Sequence, residues 1–348
     1  MTVTGAVRRR VALVVALVAA AAVLLGTPGL PASANPSPSP PGTNDSTDDE
    51  GAPKTLRDVL EAAGRGYIDA KNRLEQSKRK QVQLTLQLQR AQDRLVAITG
   101  EVGAVAVIAY RTGRLSAISA LLNSTSPDAF LERAVAVDVL ALRDDAAIRK
   151  LTQARDEWRR AKAQYDAEVN EGQKQLAIMK KRKDDAERAL AAVGGRPTGG
   201  YVSINSPLAK PAPRNPDGSW PRESCTIDDP TTSSCITPRM LHAYLEARAA
   251  GFTRYTSCHR FGGSGEHPKG RACDFSASRY GFGGTATGGD RLYGNNLAAF
   301  FVRNADRLGV LYVIWYRQIW FPGSGWRSYS GCCDPASMHT NHVHLSVY

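Results

Sequence analysis

His267-Pro-Lys-Gly-Arg-Ala-Cys-Asp274 and His339-Thr-Asn-His-Val-His344 are the two stretches that decide how the C-terminal part of this chain folds. The alternation in His342-Val343-His344 is typical of a β-strand, in which residues two apart share a face. Two histidines and one carboxylate can hold zinc and leave a fourth position for water. All six histidines follow residue 240, so the pattern predicts a metal site in a C-terminal domain.

The surrounding residues 220–348 predict a compact α+β domain. Thr237-Pro238 opens a helix that Gly251 closes, and strand-like runs follow at 310–315, 317–321 and 342–348. All six cysteines lie in this part, and an even number in an exported domain predicts disulfides. Cys225–Cys235 is the expected short-loop pair, and Cys258–Cys273 brackets the first motif. The adjacent Cys332-Cys333 leaves the last assignment open.

Residues 55–195 carry apolar side chains at alternating spacings of three and four, which predicts a coiled coil. Ser126-Pro127 is a helix start signal in the middle of this region, and Gly194-Gly195 ends it. Two long helices with a broken connection predict an antiparallel helical hairpin. This arm is either a plain spacer or a regulatory element. Residues 196–219 are rich in Gly and Pro and are interpreted as a hinge.

The N-terminus predicts export. Arg8 to Arg10 precede an apolar run, and Ala32-Ser33-Ala34 is a signal-peptidase site, so residues 1–34 are interpreted as a signal peptide. An uncleaved membrane anchor is the alternative. Residues 35–54 are Pro, Ser, Gly, Thr and Asp with little apolar content and predict a disordered linker. An exported chain of net charge +12 is expected to meet anionic cell-wall polymers or lipid headgroups rather than nucleic acid.

The C-terminal motifs resemble those of the LAS metallopeptidases, a superfamily that includes lysostaphin-like endopeptidases and zinc D-Ala-D-Ala carboxypeptidases. His267, six intervening residues, Asp274 and the late His342-x-His344 carry the resemblance, and Ser257-Cys-His-Arg260 is similar to the carboxypeptidase branch. The specific match covers residues 220–348. The hairpin more loosely resembles the arms of actinobacterial cell-wall hydrolases.

The resemblance implies a zinc-peptidase type of fold, with a small antiparallel sheet and helices, behind the helical hairpin. It implies zinc ligands at His267, Asp274 and His344, a catalytic role for His342, and a substrate-contacting role for Arg260. The implied activity is that of an exported, cell-wall-associated zinc peptidase that cuts peptidoglycan stem peptides or cross-links. Zinc is the only cofactor expected. Peptidoglycan peptides are the expected substrate, and a membrane or divisome protein is a candidate partner of the arm.

One position departs from the carboxypeptidase branch. Many of its enzymes carry Glu as general base three residues before the last histidine ligand, and this chain has Asn341 there. Either His342 or another group such as His339 or Asp334 serves as base, or the domain binds stem peptides without cleaving them. In that second hypothesis the protein is a wall-associated regulator that recruits another hydrolase. In a third, the chain is a helical-arm protein that binds an anionic polymer, and its zinc is purely structural, with His339 as the fourth ligand. If the arm restrains the site, residues 196–348 alone should be more active than the whole exported chain.

Overall fold

The computed structural model describes residues 54–112, 115–201, 203, 205–263, 265–329 and 331–348. The predicted signal peptide and all but the last residue of the predicted linker lie outside these ranges. Within them, no helix is both long enough and apolar enough to cross a membrane.

The N-terminal part of the described chain is a helical arm. It consists of α1 (Lys54–Thr112), the short α2 (Leu115–Leu122) and α3 (Pro127–Ala192). Ser126 caps α3 as the sequence predicts, because its side chain accepts a hydrogen bond from the Ala129 amide. The long helices run antiparallel: Ser77 donates to the Glu168 carbonyl at 2.8 Å, and further along Arg94 lies 3.4 Å from Glu157. The predicted helical hairpin is confirmed.

The C-terminal domain is built on an antiparallel sheet with the strand order β3-β4-β8-β5-β6-β7. These strands are β3 (Thr256–Ser257), β4 (Ala272–Ser276), β5 (Val310–Trp315), β6 (Gln318–Phe321), β7 (Gly325–Ser328) and β8 (His342–Val347). A small hairpin of β1 (Ile227–Asp228) and β2 (Cys235–Ile236) precedes them. The helices are α4 (Pro238–Ala249), α5 (Gly288–Arg303) and α6 (Ala305–Leu308). The predicted α+β class with a small antiparallel sheet is confirmed.

One face of the sheet forms the domain's own core. Val343, Leu345 and Val347 of β8 are fully buried in one apolar cluster with Met240 of α4 and Phe301 of α5. Successive residues of a strand point to opposite faces. The histidines of β8 therefore project from the other face.

The base of the arm packs on that other face. Leu60 of α1 and Leu190 of α3 share an apolar cluster with Leu311 and Ile314 of β5 and Phe321 of β6. Gly64 permits the close approach, since a Cβ there would lie 3.0 Å from a methyl carbon of Leu311. The arm is thus anchored to the sheet by a shared hydrophobic core.

Residues 196–219, which were predicted to form a hinge, are hydrogen-bonded to the C-terminal domain. The Thr198 amide donates to the Trp326 carbonyl at 3.2 Å, and the Ala212 amide donates to the Arg307 carbonyl at 2.7 Å. Ala212 is itself buried in the cluster at the arm base. Bending here would require these contacts to break.

All six cysteines are paired, in the disulfides Cys225–Cys235, Cys258–Cys273 and Cys332–Cys333. The first is the expected pair, and the second closes the loop that carries the His267 motif. The third joins two cysteines that are adjacent in the sequence, whose pairing the sequence analysis had left open. Three disulfides are typical of proteins from oxidising, extracytoplasmic compartments.

Candidate metal centre

Strand pairing places the acidic and basic residues of the two motifs side by side. Asp274 of β4 lies directly opposite His344 of β8 in the antiparallel register, and Ser276 lies opposite His342. Side chains two residues apart share a face, so both histidines project beside the aspartate. The Oδ1 atom of Asp274 is 2.9 Å from His344 Nδ1 and 3.4 Å from His342 Nε2.

His267 reaches the same point from the loop before β4. Its Nε2 atom lies 3.3 Å from Asp274 Oδ1 and 3.3 Å from His344 Nδ1. On its outer side, His267 Nδ1 is hydrogen-bonded to the Cys258 carbonyl, which can only accept. Nδ1 therefore carries the ring proton and donates it to this carbonyl, and the lone pair of Nε2 faces Asp274 and His344.

The His344 ring is also held in place on the side that faces away from Asp274. Its Nε2 atom lies 2.8 Å from the Ser346 hydroxyl oxygen, and its ring stacks on Tyr312 at 5.4 Å between centroids. When Nε2 carries the ring proton and donates it to Ser346, the lone pair of Nδ1 points toward Asp274 and His267.

Two imidazole lone pairs and a carboxylate oxygen thus converge in a buried space. His267, Asp274 and His344 are at most 2% exposed, and one ligand atom of each lies within 4.8 Å of those of the other two. Three acceptor atoms that face one another concentrate negative potential, which a cation relieves. The donor set fits a metal ion, and these are the three ligand residues predicted from the sequence.

The pKa values of the group suit ligands. Burial lowers the pKa of His344 to about 4 against the opposing effect of the Asp274 carboxylate, so the imidazole is neutral at pH 7. Burial alone would raise the pKa of Asp274. The neighbouring side chains of His267, His342 and His344 hold that pKa well below its ordinary value. A neutral imidazole and an ionised carboxylate are the forms that bind metals.

His342 lies next to this group and is oriented by its own sequence neighbour. Its Nδ1 atom is 2.7 Å from the Asn341 side-chain oxygen, while the Asn341 amide nitrogen donates to the Gly283 carbonyl at 2.8 Å. The Asn341 oxygen can only accept, so His342 Nδ1 carries the proton and Nε2 is unprotonated toward Asp274. This contact of Asn341 could not be predicted from the sequence motifs.

Arg260 contacts the outer side of the aspartate. Its NH1 atom lies 3.1 Å from Asp274 Oδ2, while Oδ1 of the same carboxylate faces the histidines. The Arg260 side chain is 36% exposed, so the guanidinium lies between the buried group and solvent. The predicted substrate-contacting arginine is therefore at the metal centre.

His339 is a fourth histidine beside the group. Its ring centroid is 4.8 Å from that of His342 and 5.6 Å from that of His344. It is 1% exposed, its Nδ1 atom lies 3.3 Å from the Ser337 carbonyl, and its Nε2 atom has no hydrogen-bond partner within the described part of the chain. Desolvation lowers the pKa of His339 well below its ordinary value, so the ring is neutral.

The C-terminal domain is similar to one known family. A family model described as "VldE, C-terminal domain" matches residues 232–343. This stretch includes Arg260, His267, Asp274 and His342 and ends one residue before His344, and the helical arm lies outside it. Neither the curated proteins nor the solved structures provide a match.

Proposed function

We propose that this chain is an exported zinc-dependent peptidase that cleaves peptidoglycan stem peptides or cross-links, and that its C-terminal domain is a LAS-type metallopeptidase of the D-Ala-D-Ala carboxypeptidase-like branch. The observation that carries the proposal is the convergence of His267 Nε2, Asp274 Oδ1 and His344 Nδ1 with a further imidazole beside them. Three protein ligands and an adjacent base are typical of catalytic rather than structural zinc sites, which close with four ligands.

His267, Asp274 and His344 would hold the zinc ion. Bound zinc lowers the pKa of a coordinated water to about 7 and polarises a carbonyl oxygen. The role of the chain is to present three ligands in fixed orientations. The Cys258 carbonyl and the Ser346 hydroxyl supply that orientation, since each fixes the outer nitrogen of one histidine.

His342 is the proposed general base. Hydrolysis adds water across the peptide C–N bond, so one proton must leave the water and one must reach the departing amine nitrogen. His342 Nε2 is unprotonated and next to Asp274, so it can accept the first proton and then donate it to the amine. Asn341 cannot take a proton, and its part is to keep Nε2 turned toward the site.

Arg260 is the proposed contact for a carboxylate of the substrate. Its guanidinium lies at Asp274 and is partly exposed to solvent, and a guanidinium can bind a carboxylate as a fork. A peptide offers such a group as its terminal or a side-chain carboxylate. The zinc and the guanidinium would then hold the scissile carbonyl and the carboxylate at a set separation.

The test uses the exported chain, residues 35–348, incubated with purified peptidoglycan and zinc. New peptide termini, identified by mass spectrometry and abolished by a chelator, are the expected result, and they identify the bond that is cut. Asp274→Ala should lose both the metal and the activity. Asp228→Ala, which removes an exposed carboxylate of the same domain, should keep both.

The outcomes separate the proposal from its alternatives. Stoichiometric zinc without cleavage would contradict the peptidase and support the non-catalytic regulator, for which Asn341 in the place of a carboxylate is the favouring observation. Full metal occupancy in Asp274→Ala would remove the ligand assignment itself.

A further inference from the structure

Glu266, the residue directly before the ligand His267, is a fully buried carboxylate in a network of charges. It is 0% exposed, and its oxygens accept hydrogen bonds from Arg271 and, at 3.1 Å, from Lys269 of the same loop. The backbone closes this loop too: the Gly270 amide donates to the His267 carbonyl at 3.0 Å. Glu266 and His267 therefore belong to one tight turn, in which a shift of one displaces the other.

The helical arm supplies part of this network. Arg65 of α1 donates from NH2 to Glu266 Oε2 at 2.8 Å across 201 residues of sequence. Lys269 also reaches Glu61 Oε2 of the same helix at 3.4 Å. The arm therefore makes ionic contacts with the loop that carries His267, in addition to its apolar packing on the sheet.

The electrostatics favour an ionised Glu266. Three cationic side chains contact its two oxygens: Arg65 and Arg271 donate to Oε2, and Lys269 donates to Oε1. A buried carboxylate is tolerated only with such partners, and the loss of one leaves the charge under-compensated. The turn would then have to open toward water or lose its geometry.

We propose that Arg65 is a positioning residue for the metal centre: through Glu266 it fixes the turn that presents His267, so the base of the helical arm is part of the metal-site scaffold. This inference rests on the metal site of the proposed function. Groups that orient a metal ligand from behind are worth about 10- to 100-fold in metal affinity, which is the loss expected when Arg65 no longer binds Glu266.

The test compares two variants of the exported chain, residues 35–348. Arg65→Met keeps the length of the side chain and removes its charge and hydrogen bonds. Lys71→Met is the matched control, because Lys71 of the same helix also bridges the arm to the C-terminal domain, at 2.7 Å from Asp306. Zinc affinity is measured by competition with a chromophoric chelator. The absorption spectrum of the cobalt-substituted protein reports ligand geometry independently of catalysis.

We expect Arg65→Met to bind zinc about 10- to 100-fold more weakly and to alter the cobalt spectrum, with Lys71→Met unchanged in both. Arg65→Lys should recover part of the affinity, because an ammonium can still reach Glu266. It also serves as the test variant if thermal unfolding shows Arg65→Met to be misfolded.

Wild-type affinity and spectrum in the folded Arg65 variants would overturn the inference, as would an equal loss in Lys71→Met. The proposed function fails differently: a wild-type chain that binds no metal overturns it and this inference together. A wild-type chain that binds zinc without cleaving overturns the peptidase and leaves the positioning role of Arg65 standing.

Discussion

Removal of the helical arm should unfold the C-terminal domain rather than release an active enzyme. Had the arm been a separate regulator, residues 196–348 alone would be expected to fold and to be more active. The packing leads to a different expectation, because the outer face of β5 and β6 is covered by the arm. Leu311, Tyr312, Ile314, Ile319 and Phe321 are at most 2% exposed, and all five belong to the cluster that the arm completes.

The magnitude follows from this buried surface. Full burial of a large apolar side chain stabilises a protein by about 1.5–3 kcal/mol. If loss of the arm uncovers roughly half of each of these five side chains, the loss of stability is about 4–8 kcal/mol, before the contact of Arg65 with Glu266 is counted. A typical domain is stable by only about 5–15 kcal/mol. Residues 196–348 should therefore be marginally folded or aggregated.

The matched control shortens the arm without uncovering the sheet. Gln81 contacts the Glu168 carbonyl at 3.2 Å, and Arg94 contacts Glu157, so residues near 88 and 160 face each other across the hairpin. Replacing residues 89–159 with a turn of about four residues should preserve the base. We expect a cooperative thermal transition in this variant close to that of residues 35–348. Residues 196–348 should show no such transition and should elute as aggregate in size-exclusion chromatography.

Monomeric residues 196–348 that melt cooperatively at the temperature of the whole chain would refute this reasoning. Peptidase activity above that of the whole chain would, in addition, restore the restraining arm. A shortened-arm variant that fails to fold would place the stabilising contacts in the distal arm instead.

Three further predictions concern the metal centre and its loop. His342→Gln should keep zinc but lower kcat by about 10²–10⁴-fold, because it removes the proposed base and no ligand; a metal titration beside a peptidase assay checks this, and unchanged kcat would point to another base. Replacing both Cys258 and Cys273 with Ser opens a loop with a sequence separation of 15. It should reduce stability by about 2–4 kcal/mol in urea unfolding and weaken zinc binding, because His267 lies inside that loop. Glu266 has a folded-state pKa of about 2 against an ordinary value of 4.5, so its ionisation stabilises the fold above pH 4.5 and that contribution fades as the pH falls toward 2. The unfolding free energy of the wild type minus that of Glu266→Gln should shrink by up to about 3 kcal/mol over this range, and a pH-independent difference would contradict the assignment.

The helical hairpin and the strand character of β8 were predictable because both depend on local periodicity. The cap at Ser126 and the alternation of His342 and His344 each involve only a few neighbouring residues. The three ligand residues were predictable because their chemical types and spacings match a known pattern. None of these predictions needed to know which surface of the arm meets the domain.

The contacts between distant parts of the chain could not be predicted in this way. Arg65 and Glu266 are 201 residues apart, and either would pass for a solvated surface charge in the sequence. In the sequence Tyr312 resembles any other core aromatic residue. Its stacking on the His344 ring depends on the register between two strands, which the sequence does not show. The assignment of residues 196–219 as a hinge rested on Gly and Pro content. That content describes the backbone's freedom but not the hydrogen bond that the Ala212 amide donates to the Arg307 carbonyl.

Asn341 differs from the residue of the carboxypeptidase branch that the sequence resembles, and its contacts suit the role proposed for His342. A carboxylate at this position could accept a proton directly, whereas the carboxamide holds His342 by one end and the Gly283 carbonyl by the other. An imidazole fixed with Nε2 toward Asp274 has its lone pair where a base is needed, and burial lowers its pKa so that it is neutral at pH 7. Asn341→Ala should therefore impair turnover while zinc stays bound, since the ring of His342 would lose the acceptor that sets its tautomer. Asn341→Glu would replace that amide with a longer, charged group and should not restore the activity, although it recreates the residue of the carboxypeptidase branch. Full activity in Asn341→Glu would show instead that this position acts on water directly and that His342 is not the base.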